Sequence, residues 1–232
     1  MSGLQNCLGV MSGVDIYQKL KEDIITLKLK PGQMISENEI AGVYNVSRTP
    51  IKNAFLRLKG EKYIEIIPQK GSFVTLLDMK YIKDIIYMRS VLEMDMLSSI
   101  IENKLTDEVS TKLEDNLSLQ KTLIESSCVN PFSYFEIDSA FHYCLFEAVG
   151  RGRMWDIIQD CQVYYSRFRI LDTMITERFT GLYEEHRKIA DALKNQDKQV
   201  LKEHIFNHLN GNIRILTPKI EGEFKDYFIQ HL

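Results

Sequence analysis

The sequence has no apolar run approaching the roughly 20 residues that a membrane-spanning helix needs. Its opening MSGLQNCLGVMSG also lacks the basic stretch followed by an apolar one that marks a secretory leader. No membrane association or export is therefore expected, and the cytoplasm is the expected compartment. Paired cysteines are missing too: Cys7, Cys128, Cys144 and Cys161 are scattered, with no CxxC among them. A chain of 232 residues is long enough to fold without covalent staples, so these thiols are expected to be reduced. There is no internal repeat and no low-complexity tract. With 44% hydrophobic and 26% charged residues the chain lies near the globular average, which excludes intrinsic disorder.

The net charge of -3 argues weakly against a nucleic-acid partner until it is divided along the chain. Residues 14–77 carry ten Lys/Arg against seven Asp/Glu, a net of +3, whereas residues 78–232 carry nineteen against twenty-five, a net of -6, together with all five histidines. A basic N-terminal part and an acidic, histidine-bearing C-terminal part point to two domains with different partners. Residues 1–13 hold no charge and no pattern, and are expected to form a loose tail.

Ile16, Leu20, Ile24 and Leu27 recur at helical spacing, predicting a first helix over 14–29 that stops at Pro31-Gly32. Ser36 with Glu39 three residues later predicts a capping box opening a short second helix that ends at Asn45. Ser47 then caps a third helix with Pro50 in its first turn and Ile51, Ala54, Phe55 and Leu58 as its buried stripe. Two short helices around Tyr44-Asn45-Val46 read as helix-turn-helix. The β-rich runs Tyr63–Ile67 and Phe73–Leu76 flank a turn and read as a hairpin, a wing. Helical periodicity then continues over about 79–102, 106–126, 131–149, 153–174, 177–194 and 197–216. The expected fold is thus mainly α: a winged helix-turn-helix of three helices plus a β-hairpin over 14–77, and an all-α antiparallel helical bundle over 78–232.

The third helix opens Ser47-Arg48-Thr49-Pro50-Ile51-Lys52, placing small hydroxyls and long cations where a recognition helix meets base edges and phosphates. Arg48 can pair bidentately with guanine, and Lys52, one turn on, shares its face. Ordinary solvated charges beside a capped helix would look the same, but Lys70-Gly71 at the wing tip, suited to the minor groove, favours the DNA reading. The stretch KPGQMISENEIAGVYNVSRTPIKNAFLRLKGEKYIEIIPQKGSFV resembles the winged helix-turn-helix of the GntR family of bacterial transcription regulators, most specifically at VSRTPIKNAFLRL. The resemblance implies DNA contacts from Arg48, Thr49 and Lys52, from Asn38 on the preceding helix, and from Lys70-Gly71. Asn38 and Lys52 stand where the family often has arginine, and Lys62 where it usually has glycine.

Asp138 and His142, four apart, share one helix face and could share a metal ion, although such a pair is more often a surface hydrogen bond. His186 opens another helix, and His204 and His208 repeat the four-residue spacing on a third; convergence of such residues in a bundle core builds metal sites. Spacing does not choose between His204 and His208, because Leu201, Ile205, Phe206 and Leu209 cover too wide an arc. The segments YMRSVLEMDML, FEIDSAFHYCLFEAVG and EEHRKIADALKNQDKQVLKEHIFNHL are similar to the effector-binding FCD domain of the FadR subfamily. That resemblance implies the ligand set Asp138, His142, His186 and His208, leaves His204 as a packing or surface residue, and groups the chain with metal-binding members. The expected cofactor is a divalent transition metal, zinc ahead of nickel, manganese and iron.

Arg89 lies on an apolar face with Ile82, Ile85, Ile86 and Met96, so it needs a partner: Glu93 one turn on, or a ligand carboxylate, as the R-x-x-x-E segment of the subfamily implies. Tyr164, Tyr165, Arg167, Phe168 and Arg169 cluster on one helix, the aromatics as core and the whole as a possible cavity lining. The reading is a ligand-responsive repressor, homodimeric through its bundle, binding a palindromic operator and a small carboxylate effector. A metal-dependent hydrolase is the rival, with Glu136 or Glu147 as its general base.

Overall fold

Capping and turn chemistry shape the N-terminal part of the computed structural model, which describes residues 12–103, 105–161 and 163–230. The chain divides into two units after Leu76. Most of the expected tail lies outside the described residues, but its end does not: Ser12 and Asp15 form a capping box that starts α1, Gly13–Ile25. The helix ends four residues before the expected Leu29, because Leu27 turns left-handed (φ 59°) before Pro31 is reached. The short strand β1, Met34–Ile35, leads into α2, Glu37–Tyr44. Ser36 is its N-cap, but the expected capping box does not form there, since the Ser36 hydroxyl makes no capping bond. Asn45 closes α2 in the left-handed conformation (φ 52°), which asparagine tolerates better than most residues. α3, Arg48–Gly60, buries Ile51, Ala54, Phe55 and Leu58 against α1, whose Ile16, Leu20 and Ile24 are fully buried. Tyr17, Lys21 and Arg57 gather around the Glu61 carboxylate at the same seam.

The wing is a sheet of order β1-β3-β2 in which β2, Ile64–Ile67, and β3, Gly71–Val74, pair antiparallel with Ile64 opposite Val74 and Ile67 opposite Gly71. β1 adds Met34 opposite Phe73, a third strand too short for sequence periodicity to announce. The tip holds Gln69 at φ 63° and Gly71 at φ 123°, the latter outside what an L side chain readily adopts.

The second unit is helical: α4 Met79–Asn103, α5 Asp107–Ile124, α6 Pro131–Glu147, α7 Gly152–Asp160, α8 Tyr165–Thr176, α9 Phe179–Lys194 and α10 Lys198–Glu221, then a 3₁₀ turn at Lys225–Tyr227. The expected single helix over 153–174 is two, α7 and α8, broken near Cys161 with no proline or glycine to signal it. α10 in turn runs past the expected 216 and carries Pro218 inside it. α4 packs on α6, α8, α9 and α10, while α5 covers α6 and α9, so the inward stripes of α4, α6, α8, α9 and α10 converge. The α6 stripe is Tyr134, Asp138, Phe141, His142, Leu145 and Phe146; that of α9 includes Leu182, His186, Ile189 and Leu193. Burying each such apolar side chain contributes about 1.5–3 kcal/mol, which forces the polar members of the same stripes inward with them. Beyond the 3₁₀ turn the chain returns to the start of the bundle. Phe228, 3% exposed, forms a parallel bridge with Leu77, whose amide donates to Tyr227 O at 2.8 Å and whose carbonyl accepts from Ile229 N at 2.9 Å.

Candidate nucleic-acid interface and metal centre

All seven residues assigned to DNA are exposed: Asn38 on α2, Ser47, Arg48, Thr49 and Lys52 at the start of α3, and Lys70 and Gly71 at the wing tip. No acidic residue lies in the first turn of α3, and the Ser47 hydroxyl makes no capping bond. The Arg48 side chain is 67% exposed and pairs with the Glu37 carboxylate at 3.4 Å. So loose a surface pair contributes little and does not hold the guanidinium against a better partner. Lys62 sits at φ 65°, which is the physical reason for glycine at its place: a β-carbon there carries a backbone cost of roughly 1–2 kcal/mol.

In the bundle, Asp138, His142, His186 and His208 each bring one ligand-competent atom to within 4.8 Å of all the others, and all four are buried. His142 Nε2 and His186 Nε2 each lie 3.2 Å from His208 Nε2, and the Asp138 carboxylate lies 3.4 Å from His186 Nε2 and 3.9 Å from His142 Nε2. His204 lies partly exposed beside the α10 stripe, outside the cluster.

The other ring nitrogen of each histidine is tied down. His142 Nδ1 is 2.7 Å from Glu93 Oε2, His208 Nδ1 is 2.9 Å from Glu185 Oε2, and His186 Nδ1 is 2.9 Å from Gln120 Oε1. Carboxylates only accept, so Nδ1 of His142 and His208 must donate. Gln120 is oriented by a relay, its Nε2 donating to Asn116 Oδ1 and Asn116 Nδ2 to the Ile137 carbonyl, which turns its oxygen to His186. All three rings therefore carry hydrogen on Nδ1 and present Nε2 lone pairs to one another. Lone pairs facing across 3.2 Å repel unless a cation lies between them. Metal–nitrogen bonds of about 2.0–2.1 Å separate neighbouring ligand nitrogens by roughly 3.0–3.4 Å, so the donor set fits a divalent transition metal. Burial drives His142 and His186 below the ordinary histidine range, keeping them in the neutral form that ligates. Burial opposes ionisation of Asp138, but the Arg169 guanidinium outweighs it and holds the carboxyl well below its usual range.

Arg89, 1% exposed, takes the intrahelical partner: its Nε donates to Glu93 Oε1 at 2.8 Å, and its Nη1 donates to the Tyr165 hydroxyl at 3.0 Å. Glu93 therefore joins Arg89 to His142, and burial notwithstanding, those two partners hold it at about 2. Arg169 on α8 donates from Nη2 to Asp138 Oδ1 at 2.8 Å. Tyr165 and Phe168 are core residues, and Arg167 donates from Nε to the Val163 carbonyl. Glu93 is signalled by its spacing from Arg89, and Glu185 directly precedes His186, but no sequence signal leads to Gln120, which lies on α5, four helices before His186 on α9. Glu136 and Glu147, the general bases of the hydrolase reading, are both exposed, with Glu147 paired to Lys112 at 3.2 Å. The carboxylates that do border the cluster already accept from Nδ1 hydrogens, which leaves the hydrolase reading unsupported.

Residues 13–74 match the family model described as bacterial regulatory proteins, gntR family, and residues 84–211 match that of the FCD domain. An HTH-type transcriptional regulator from an unstable DNA locus of Streptomyces ambofaciens is 30% identical, covering 89% of this chain and 88% of its own. The HTH-type transcriptional repressor RspR of Escherichia coli K12 is 29% identical, covering 92% of each chain. The solved structure of a GntR transcriptional regulator from Rhodococcus sp. RHA1 superposes with a TM-score of 0.69 at 18% identity, over 88% of this chain and 97% of that one, a likeness of fold.

Proposed function

The chain belongs to the GntR family of bacterial regulators, in the FadR-like branch with a C-terminal FCD domain, and from that premise we propose that it is a transcription repressor whose hold on a palindromic operator is set by a small organic acid bound at a buried divalent metal. The family is one of regulators, not enzymes. One observation carries the metal reading: three imidazoles from three helices, each anchored through Nδ1, turn Nε2 toward one carboxylate. Three nitrogens and an oxygen suit zinc first, then nickel, manganese or iron.

A bound divalent ion supplies a positive centre for a carboxylate, because Asp138 neutralises only part of its charge. The chain's own residues do the rest. Glu93, Gln120 and Glu185 fix the rings, so the ligands need no reorganisation when metal arrives. Arg89 donates a charge-assisted hydrogen bond to the acid, and the surrounding apolar stripes exclude water. Arg48 reads a guanine, Asn38, Ser47, Thr49 and Lys52 hold the α3 start to the duplex, and Lys70-Gly71 enters the minor groove. Pairing of two chains through their bundles sets two recognition helices on the half-sites of the operator. The acid alters operator binding only by as much as it favours one arrangement of the pair.

His208→Ala loses metal and, with it, the effect of the acid on operator gel shifts, whereas His204→Ala keeps both. The reverse assignment, or an acid response that survives metal removal, rejects this function.

A further inference from the structure

From Tyr165 to Thr173, α8 is buried on every side, although it carries Arg167, Arg169 and Asp172. Arg169 and Arg89 of α4 share one aromatic ring: their guanidinium carbons lie 5.9 and 5.4 Å from the Tyr165 centroid. Each is at most 3% exposed, and each keeps one hydrogen-bond donor without a partner among the described residues, Nη2 on Arg89 and Nε on Arg169. An orphaned donor on a buried charge costs more than one on a neutral group, so two beside one tyrosine call for a shared acceptor.

Charge indicates what that acceptor is. Among the buried charged groups facing the cluster, Arg89 and Arg169 are balanced by Glu93 and Asp138. Glu185, on the rim, is balanced by Arg178 at 2.6 Å. Arg167 and Asp172, the other charged groups buried on α8, are one of each sign. A divalent ion on the four ligands therefore adds two positive charges to a set that is otherwise balanced. A monocarboxylate answers one of them and one guanidinium; a dicarboxylate answers both.

Resting on the metal and organic-acid reading above, we propose that Arg169 is a ligand-binding residue equal to Arg89, and that the two guanidiniums select a small dicarboxylate, one carboxylate turned to the metal and the other accepting from Arg89 Nη2 and Arg169 Nε. A hydroxy acid that sheds its hydroxyl proton on the metal also delivers two charges. It does so with a measurable proton release, and it leaves no second carboxylate for the arginines.

The test is calorimetry on the zinc-loaded full chain with succinate, its monoacid counterpart butyrate, and lactate, each in two buffers of different ionisation heat. Succinate is expected to bind at least about tenfold more tightly than butyrate, and more tightly than lactate, without proton release. Arg169→Lys keeps a cation for Asp138 but removes the Nε donor; it is expected to erase most of the succinate preference, read at saturating zinc so that any change in zinc affinity, measured by chelator competition, is separated from acid binding. Arg89→Lys gives the same readout should the first variant fold poorly. Equal binding of succinate and butyrate, lactate binding as tightly as succinate with proton release, or a full preference in both lysine variants overturns the dicarboxylate assignment while leaving the organic-acid reading standing. If no acid binds the zinc-loaded chain at all, both fall.

Discussion

Gln120→Leu tests whether the outer hydrogen bonds, rather than the four ligands alone, make the metal centre. Gln120 is fully buried and accepts from His186 Nδ1 at 2.9 Å and from the Tyr134 hydroxyl at 3.2 Å, while donating to Asn116 at 2.7 Å. Leucine fills a similar volume without an acceptor. Tyr134 retains the Phe179 carbonyl at 3.2 Å, but the His186 Nδ1 hydrogen is stranded, at a cost of about 1–3 kcal/mol. The ring escapes that cost by moving its proton to Nε2, where Asp138 Oδ1 lies 3.4 Å away. That tautomer cannot ligate. Loss of such a partner weakens metal binding about 10–100-fold, or roughly 1.4–2.7 kcal/mol. With metal in excess, the same amount disappears from the metal-induced stabilisation, which for a unit of this size is roughly 3–10 °C of melting temperature. The assay compares the melting increment between zinc-loaded and stripped protein in wild type, Gln120→Leu and Gln120→Glu, the last of which retains an acceptor. Comparing increments removes the destabilisation that leucine causes in either state. An undiminished increment in Gln120→Leu, with zinc affinity within about twofold of wild type, refutes the tautomer argument.

Arg48→Ala is expected to cost specific operator affinity by about 1–3 kcal/mol while sparing salt-sensitive background binding, as titrations against specific and scrambled duplexes will show; unchanged discrimination removes Arg48 from base reading. Lys62→Gly relieves a left-handed β-carbon and is expected to raise stability by about 0.5–1 kcal/mol net of the added unfolded-chain entropy, checked by denaturant melts. At Glu61 burial opposes ionisation, but hydrogen bonds from Lys21 and Tyr17 outweigh it and lower the carboxyl. The stability it contributes is therefore present above its unfolded value near 4.5 and lost as pH falls through the lower folded one. Melting of Glu61→Gln between pH 3 and 6 is expected to show a flatter acid limb than wild type, and an identical limb refutes the linkage.

Helix starts and stripes were legible wherever a single strong periodicity or a cap ruled, as with the buried face of α3 and the inward face of α4. The expected α1 end failed because a left-handed Leu27 needs no glycine to announce it, and the α7–α8 break failed because it carries neither proline nor glycine. α10 shows the limit most clearly. Phe206 widened its apolar arc in the sequence, yet the side chain is 53% exposed. With Phe206 outside, Leu201, Ile205, His208, Leu209 and Asn212 form one narrow stripe that includes His208 and passes beside His204. Only packing against α9 and α4 fixes that rotation. The contacts to Gln120 and Arg169 join helices far apart in sequence, so no spacing rule reaches them.

The return of the chain to Leu77 gives the first residue of the bundle an unusual dependence. Its amide and carbonyl are both held by the segment around Phe228, not by a neighbouring turn of its own helix. In hydrogen exchange, the Leu77 and Ile229 amides should therefore open as one cooperative unit and share one protection factor, although almost the whole bundle lies between them in sequence. A common protection factor for two amides so far apart in the chain would report the closing of that long loop and not the fraying of either end alone.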